Sequence, residues 1–226
     1  GWLLKIKGSS CDGPFFRKRG SVMYNFTVPM ALMDFVPVFF FGVTAVLLLR
    51  DLYNKMFKGA YALLAAGSVN VFLAGFCKAL WKLLYAANIC DFVALEEMFM
   101  PVNSLGLLFV GLSLIGMLCW KKKSGMLSVA PPVFASSMPF IMMMVVGLGG
   151  LCAGLSILSA KMKKGAVMIL FILSFICAMA MGYMSSQDST QSWVNWVEQS
   201  INTVSQLCLM LGTVALHKNG LKDYTF

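Results

Sequence analysis

Long uncharged apolar runs, separated by short charged clusters, make up most of this chain. Residues 59–77, 98–120, 124–160, 165–187 and 199–217 contain no Asp, Glu, Lys or Arg. A helix needs roughly 20 mostly apolar residues to cross the hydrocarbon of a bilayer. With Pro131-Pro132 breaking the longest run, the pattern predicts six spans, at about 29–49, 59–87, 98–120, 132–160, 165–184 and 197–217. The expected fold class is an all-α integral membrane protein with six transmembrane helices.

The spans fall into two sets of three that read as copies. Pro29 and Pro37 recur as Pro131 and Pro139, at an offset of 102 residues. Lys55-Met56-Phe57-Lys58-Gly59-Ala60 recurs as Lys161-Met162-Lys163-Lys164-Gly165-Ala166, at an offset of 106. Glu97, Ser104 and Gly111 recur as Glu198, Ser205 and Gly212, at an offset of 101. The expected organisation is therefore a 3+3 pseudo-repeat, with residues 23–123 as the first three-helix unit and 124–226 as the second. Internal duplication is the usual build of small transporters, whose site lies where the repeats meet.

Three spans per repeat is an odd number, so six full crossings would invert the second copy. The positive-inside rule then barely decides orientation, because both faces carry lysine clusters. A rival arrangement has residues 124–160 enter and return to one side, turning at Gly147-Leu148-Gly149-Gly150. That places nearly every basic loop on one face and the acidic loops on the other. A tight seven-span variant also fits. The Pro-x7-Pro match, which makes the fourth span resemble the first, favours six crossings.

Composition narrows the function classes. The chain has 226 residues, 59% hydrophobic and 12% charged, against about a quarter charged in a soluble domain. Its net charge of +9 does not indicate nucleic-acid binding, because the lysines border spans and face lipid headgroups. Residues 1–22 hold five basic residues and no span-like periodicity, and Met23 runs directly into the first span. Arg17-Lys18-Arg19-Gly20 can be encoded almost wholly by purines, as a bacterial ribosome-binding site is. We expect residues 1–22 to be a leader or vector-derived segment and the protein to sit in a bacterial cytoplasmic membrane. The seven cysteines are scattered, with no Cys-x-x-Cys pair, and read as small apolar packers. His217 is the single histidine, leaving little from which to build a His-based metal or proton-relay site. The 18 methionines, including Met142-Met143-Met144, read as adaptable packing rather than a copper site. No cofactor is expected.

Polar groups inside the spans are the candidate site. Asp34 lies in an apolar stretch three residues before Pro37. An ionisable group at membrane depth is by default functional, although one near a span end can simply be solvated. Glu97, Ser104 and Gly111 form a stripe on the third span, with Asn103 beside it; Glu198, Ser205 and Gly212 do so on the sixth. Glu198, Asn202 and Gln206, at i, i+4 and i+8, make a polar ribbon. Asn70 sits mid-span in the second helix. These stripes serve helix packing on one reading and line a polar seam on the other. Lys78 and Lys82 are expected to snorkel to the interface or pair with the following acidic loop, and Trp81, Trp120, Trp193 and Trp196 to form an interfacial belt.

No nucleophile elbow, paired histidines or phosphate loop is present, so catalysis is not expected; an intramembrane hydrolase using Asp34 with Glu97 is the remote alternative. The leading expectation is a small-solute or ion transporter or channel, with its pathway lined by Asp34, Asn70, Glu97, Asn103, Glu198, Asn202 and Gln206. The alternative is a membrane-embedded binding or sensory subunit acting through a partner protein. Expected partners are the lipid bilayer, a small solute or ion, and a second copy or partner membrane subunit. A dry, oily centre would count against traffic through the molecule.

Overall fold

The computed structural model describes residues 27–87, 91–119, 138–184 and 192–222, together with Ile89 and Tyr224. The leader segment and the 120–137 connection lie outside the described residues. Within them the chain is helical: α1 (Val28–Met33), α2 (Phe35–Leu52), α3 (Lys58–Ala86), α4 (Val93–Glu97), α5 (Phe99–Cys119), α6 (Met138–Lys161), α7 (Gly165–Met184) and α8 (Ser192–Lys218). Five helical segments are long and apolar enough to cross a membrane: Val28–Leu52, Lys58–Ala86, Val93–Leu118, Met138–Lys161 and Gly165–Met184. This is a multi-pass membrane protein. The position expected for a sixth span is helical, as α8, but this helix, polar in its first half, is not among the five apolar enough to cross.

Two of the spans are broken near their starts, and proline explains both breaks. Proline has no N–H and its ring clashes with the carbonyl four residues earlier. Pro37 thereby separates α1 from α2 at Asp34, and Pro101 separates α4 from α5 at Met98.

The directions of the helices follow from which residues meet. Gly67 of α3 lies against Gly106 and Val110 of α5, and Gly106 against Val71, an antiparallel register. Phe171 and Ser174 of α7 meet Gly212 and Ser205 of α8, also antiparallel. Between α5 and α6 the register advances on both helices together. Gly147 meets Leu107 and Gly111, Gly150 meets Gly111 and Ile115, and Gly154 meets Leu114. These two helices are parallel, so Cys119 and Met138 stand at opposite ends of the bundle.

That finding corrects two expectations. The chain does not turn at Gly147-Leu148-Gly149-Gly150, because α6 runs through these residues unbroken. Nor do the spans expected to be copies run in opposite senses: α2, α5, α6 and α8 run one way, and α3 and α7 run back. Cys119 and Ala160, near the C-terminal ends of α5 and α6, nevertheless fall on one side, as the rival arrangement requires.

The helices close into a ring in chain order, with α8 returning to pack on α2. Charge separates cleanly along the ring axis. One end carries Arg50, Lys55, Lys58, Lys161, Lys163, Lys164, Lys218 and Lys222 and, among the described residues, a single carboxylate, Asp51. The other carries Asp34, Asp91, Glu96, Glu97 and Glu198, with Lys78 and Lys82. At the basic end the His217 imidazole bonds Asp51 at 2.8 Å, tying α8 to α2. There the Lys55 ammonium also donates to the carbonyls of Leu221 and Tyr224, strapping the tail across the helix ends.

The centre is apolar. Leu48, Leu64, Leu114, Leu155, Phe171 and Leu209, one side chain from each long helix, are buried in one contiguous cluster. Outward faces carry exposed Phe39, Val46, Ile141, Ile169 and Ile176, compatible with contact to lipid.

Two measurements check this architecture. A Cβ at Gly147 would collide with the backbone of Leu107 and Leu108, which no rotamer change relieves, whereas a Cβ at Gly182 meets nothing within 4 Å. Gly147→Leu is expected to destabilise by about 1–3 kcal/mol or more, and Gly182→Ala to be neutral or mildly stabilising, read by thermal unfolding in detergent. Cysteines placed at Lys58, Lys164 and Lys222 should react with an impermeant thiol reagent from one side of the membrane, and one at Glu97 from the other. Six alternating crossings would instead separate Lys58 from Lys164.

Candidate functional site: a buried ion cluster at the acidic end

The break at Asp34 aims a carboxylate into the bundle rather than at the interface. Asp34 is 8% exposed, and its Oδ2 lies 2.8 Å from the Lys82 ammonium of α3. The reading in which Asp34 is merely solvated therefore fails. Lys82 does not snorkel either: its side chain is 16% exposed and is held by that carboxylate.

One turn earlier on α3, the Lys78 ammonium sits 4.1 Å over the centroid of the Phe99 ring of α5. This cation–π contact partly offsets the desolvation of the ammonium. The charges close enough to act on Lys78 are Lys82, Glu198, Asp34 and Glu96. Beside the Lys82–Asp34 pair, Lys78 thus lies within electrostatic reach of Asp34, Glu96 and Glu198, from the α1–α2 break, α4 and α8. Opposite charges must be brought together in this way if ionised groups are to leave water. Trp81 belongs to the same construction. It is buried, not in an interfacial belt, and its Nε1 donates to Asp91 Oδ1 at 2.9 Å. Trp193 and Trp196 are exposed.

Below the ions, α8 supplies amides. Gln199 is buried, and its Nε2 has no hydrogen-bond partner in the protein; the same is true of the buried Oε1 of Gln206. Buried polar atoms left unpaired by protein are where water or a ligand bonds. Asn103 on α5 is buried, while Asn70, Glu198 and Asn202 are half-buried. Glu97 is exposed at the end of α4, and its neighbour Glu96 is the one that acts on Lys78.

The small residues of the two stripes serve packing. Ser205 donates to the Ser174 carbonyl at 2.8 Å, Gly212 lies under Phe171, and Gly111 lies against Gly147. Asp34 and Glu198 converge with two lysines at the acidic end, and the polar residues stop at the apolar layer around Phe171 and Leu209. The cluster also includes Lys78, Lys82, Glu96 and Gln199, which were not among the expected site residues. Two carboxylates and two lysines near the same ends of neighbouring spans were the available signal, and the snorkelling habit of lysine masked it.

Among the described residues no group of three or more His, Cys, Asp or Glu side chains is placed to hold a metal ion. An apolar groove of about 560 Å³ lies elsewhere, between α2 and α3, and its lining from Phe39 to Leu73 suits lipid chains rather than a charged solute. No protein-family model, curated protein or solved structure matches this chain, so the functional reading rests on the geometry of the chain itself.

Lys82→Met would leave Asp34 buried without its cation. The expected cost is about 3–5 kcal/mol, against little for the double replacement Lys82→Met with Asp34→Leu, which removes both charges. Thermal unfolding of the single and double variants checks this, and equal losses would show that the pair is not coupled.

Proposed function

We propose that this protein binds a small charged solute in the ion cluster at its acidic end and carries it across the membrane. The carrying observation is the cluster itself: ionised groups from α3 and from the distant α8 are gathered at membrane depth above unpaired amide atoms of Gln199 and Gln206. Intramembrane ionisable groups of this kind mark substrate or ion routes. The mixture of ammonium and carboxylate suits a solute that itself carries an ionised group.

The 3+3 organisation supports the same reading. The repeat offsets relate α2 to α6, α3 to α7 and α5 to α8, and each related pair runs in the same direction. Ser68 and Ser104 of α3 and α5, both buried, correspond at these offsets to Ser174 and Ser205, the bonded pair of α7 and α8. Parallel repeats about an axis along the membrane normal are one of the two common transporter architectures. Its two seams are then α5–α6 and α2–α8. With the basic end cytoplasmic, as the positive-inside rule gives, the solute cluster opens away from the cytoplasm.

The apolar central layer favours a second reading, a binding or sensory subunit that holds the solute without moving it. Purified protein in liposomes separates the two. Transport predicts accumulation of a charged solute, reduced at least about tenfold by Glu198→Gln or Lys78→Met while folding is kept, a loss of about 1.4 kcal/mol or more in transition-state stabilisation. A binding subunit predicts solute binding by the wild type, weakened by the same changes, with liposomes that stay inert.

A further inference from the structure

The apolar groove between α2 and α3 has two ends of different chemistry. The two helices are antiparallel: a Cβ at Gly42 would lie 3.1 Å from the Phe72 ring, and Tyr53 meets Tyr61 edge-on at 5.1 Å. Beside these contacts the bare Gly42 and the small side chains of Ala45 and Ser68 leave space unfilled, and a cavity of about 560 Å³ results. That volume falls within the roughly 300–1,000 Å³ of small-molecule sites. Phe39, Val46 and Val69 at its walls are exposed, so the groove opens on the lipid side of the bundle.

Helical spacing carries both walls of the groove to a cation. Residues three or four apart share a helix face. On α2, Phe39, Val43 and Val46 line the groove, and the next residue of that row is Arg50. On α3, Phe72 and Val69 line it, and the row runs on through Ala65 and Ala62 to Lys58. Because the helices are antiparallel, Arg50 and Lys58 stand at the same, basic end. Both are exposed, the Arg50 side chain by 57%. Tyr53 and Tyr61 share a level, so Lys58 lies further out along the axis than Arg50.

The Arg50 guanidinium is positioned from its inner side. Its Nη2 lies 2.7 and 3.4 Å from the two ring nitrogens of His217, over the imidazole, and its Nε lies 3.6 Å from Asp51 Oδ1. The Asp51 side chain is 0% exposed, so among the described residues no carboxylate faces outward where the groove ends. At the opposite end the same two rows continue into Phe35 and Phe76, whose rings pack at 5.7 Å, with no charge.

We propose that this groove binds an anionic phospholipid, with one acyl chain lying between α2 and α3 and the phosphate paired with Arg50, inside the positive field of Lys58. A guanidinium presents a fork of donors that matches two phosphate oxygens, and a lysine ammonium adds a point charge. The apolar lining admits the chain and refuses the headgroup, so the cations fix which way the lipid points. With the basic end cytoplasmic, the headgroup lies in the leaflet that carries the negative surface potential. A second copy of the chain fits this face less well. A two-fold axis along the membrane normal would bring Arg50 and Lys58 of both copies to one end, four cations with no outward carboxylate to separate them. The site is remote from the solute cluster and stands whether or not that cluster transports.

Photoreactive lipids test this on the wild-type full chain in liposomes. The probes are a phosphatidylglycerol and a phosphatidylcholine that carry the same diazirine-bearing acyl chain, each a minor component of a phosphatidylcholine bilayer. Labelled residues are located by peptide mass. The anionic probe is expected to label residues 39–49 and 68–73 several-fold more than the zwitterionic probe. Both probes should label the outward faces of α6 and α7, at Ile141 and Ile169, to the same extent. Arg50→Gln combined with Lys58→Gln should make the two probes equal in the groove as well. Equal labelling of the wild-type groove by the two probes, or an anionic excess as large at Ile141 and Ile169 as in the groove, would overturn the proposal. So would disulfide-linked dimers of Val46→Cys above the wild-type level in the same liposomes, which would seat a second copy there. The deciding comparison uses the wild-type chain, so a variant that fails to fold does not shelter the proposal.

Discussion

The contact of Gly111 with Gly147 sets the direction of everything that follows it in the chain. With hydrogen alone on both residues, the backbones of α5 and α6 touch, and the register they share is parallel. Lipid offers no hydrophobic force to press helices together, so close backbone approach through small residues is a main source of helix adhesion. Once α6 runs with α5, the three-residue turn after Lys161 sends α7 back and α8 forward again. Glu198 then arrives beside Lys78, and His217 beside Asp51. An antiparallel α6 would have exchanged these ends and left Lys78 and Asp51 to different partners from the second half of the chain.

How much of this could be read from the sequence depended on whether the signal was local. The helices and their approximate boundaries followed from uncharged runs and proline positions, which are properties of neighbouring residues. In the structure Pro37 breaks the helix, and the break is what turns Asp34 inward. The polar ribbon of α8 was legible because one helix face carries it. The Asp51–His217 pair was not. Six alternating crossings put those residues on opposite sides of the membrane, so the one topological error hid the one histidine site. Lys78 and Lys82 were hidden differently. A lysine near a span end snorkels by default, and only the position of a partner on another helix shows that it does not.

The apolar layer between the two polar ends has a consequence for mechanism. Charges in a thin-walled bundle are tolerated where each meets a counter-charge, and Asp34 with Lys82 and Asp51 with Arg50 and His217 satisfy that at the ends. Midway, no such set exists among the described residues, and Leu64, Leu114, Phe171 and Leu209 close the space. A continuous water-filled pore is therefore not the resting state of this molecule. On the proposed reading, solute can pass only if a seam between the three-helix units opens at one end while the other is shut.

Of the two seams, α2–α8 is better suited to move. Parting α5 from α6 would forfeit backbone-to-backbone packing spread over Gly111, Gly147, Gly150 and Gly154, with no polar interaction to be regained. The α2–α8 seam is joined at the basic end by polar bonds to a single imidazole, and such bonds can be exchanged for water or lipid headgroups at small net cost. Helix α2 also carries a buried carboxylate at each end, Asp34 and Asp51, about 25 Å apart along a 1.5 Å rise per residue. A solute that competes for Lys82 and a change at the Asp51–His217 bond would thus act on the same helix from opposite ends. Helix α8 mirrors this, with Glu198 near one end and His217 at the other. On the proposed reading, events at the two ends of the bundle can be linked with no chain of intermediate polar residues through the apolar centre; tilting of α2 against α8 is enough to carry the link.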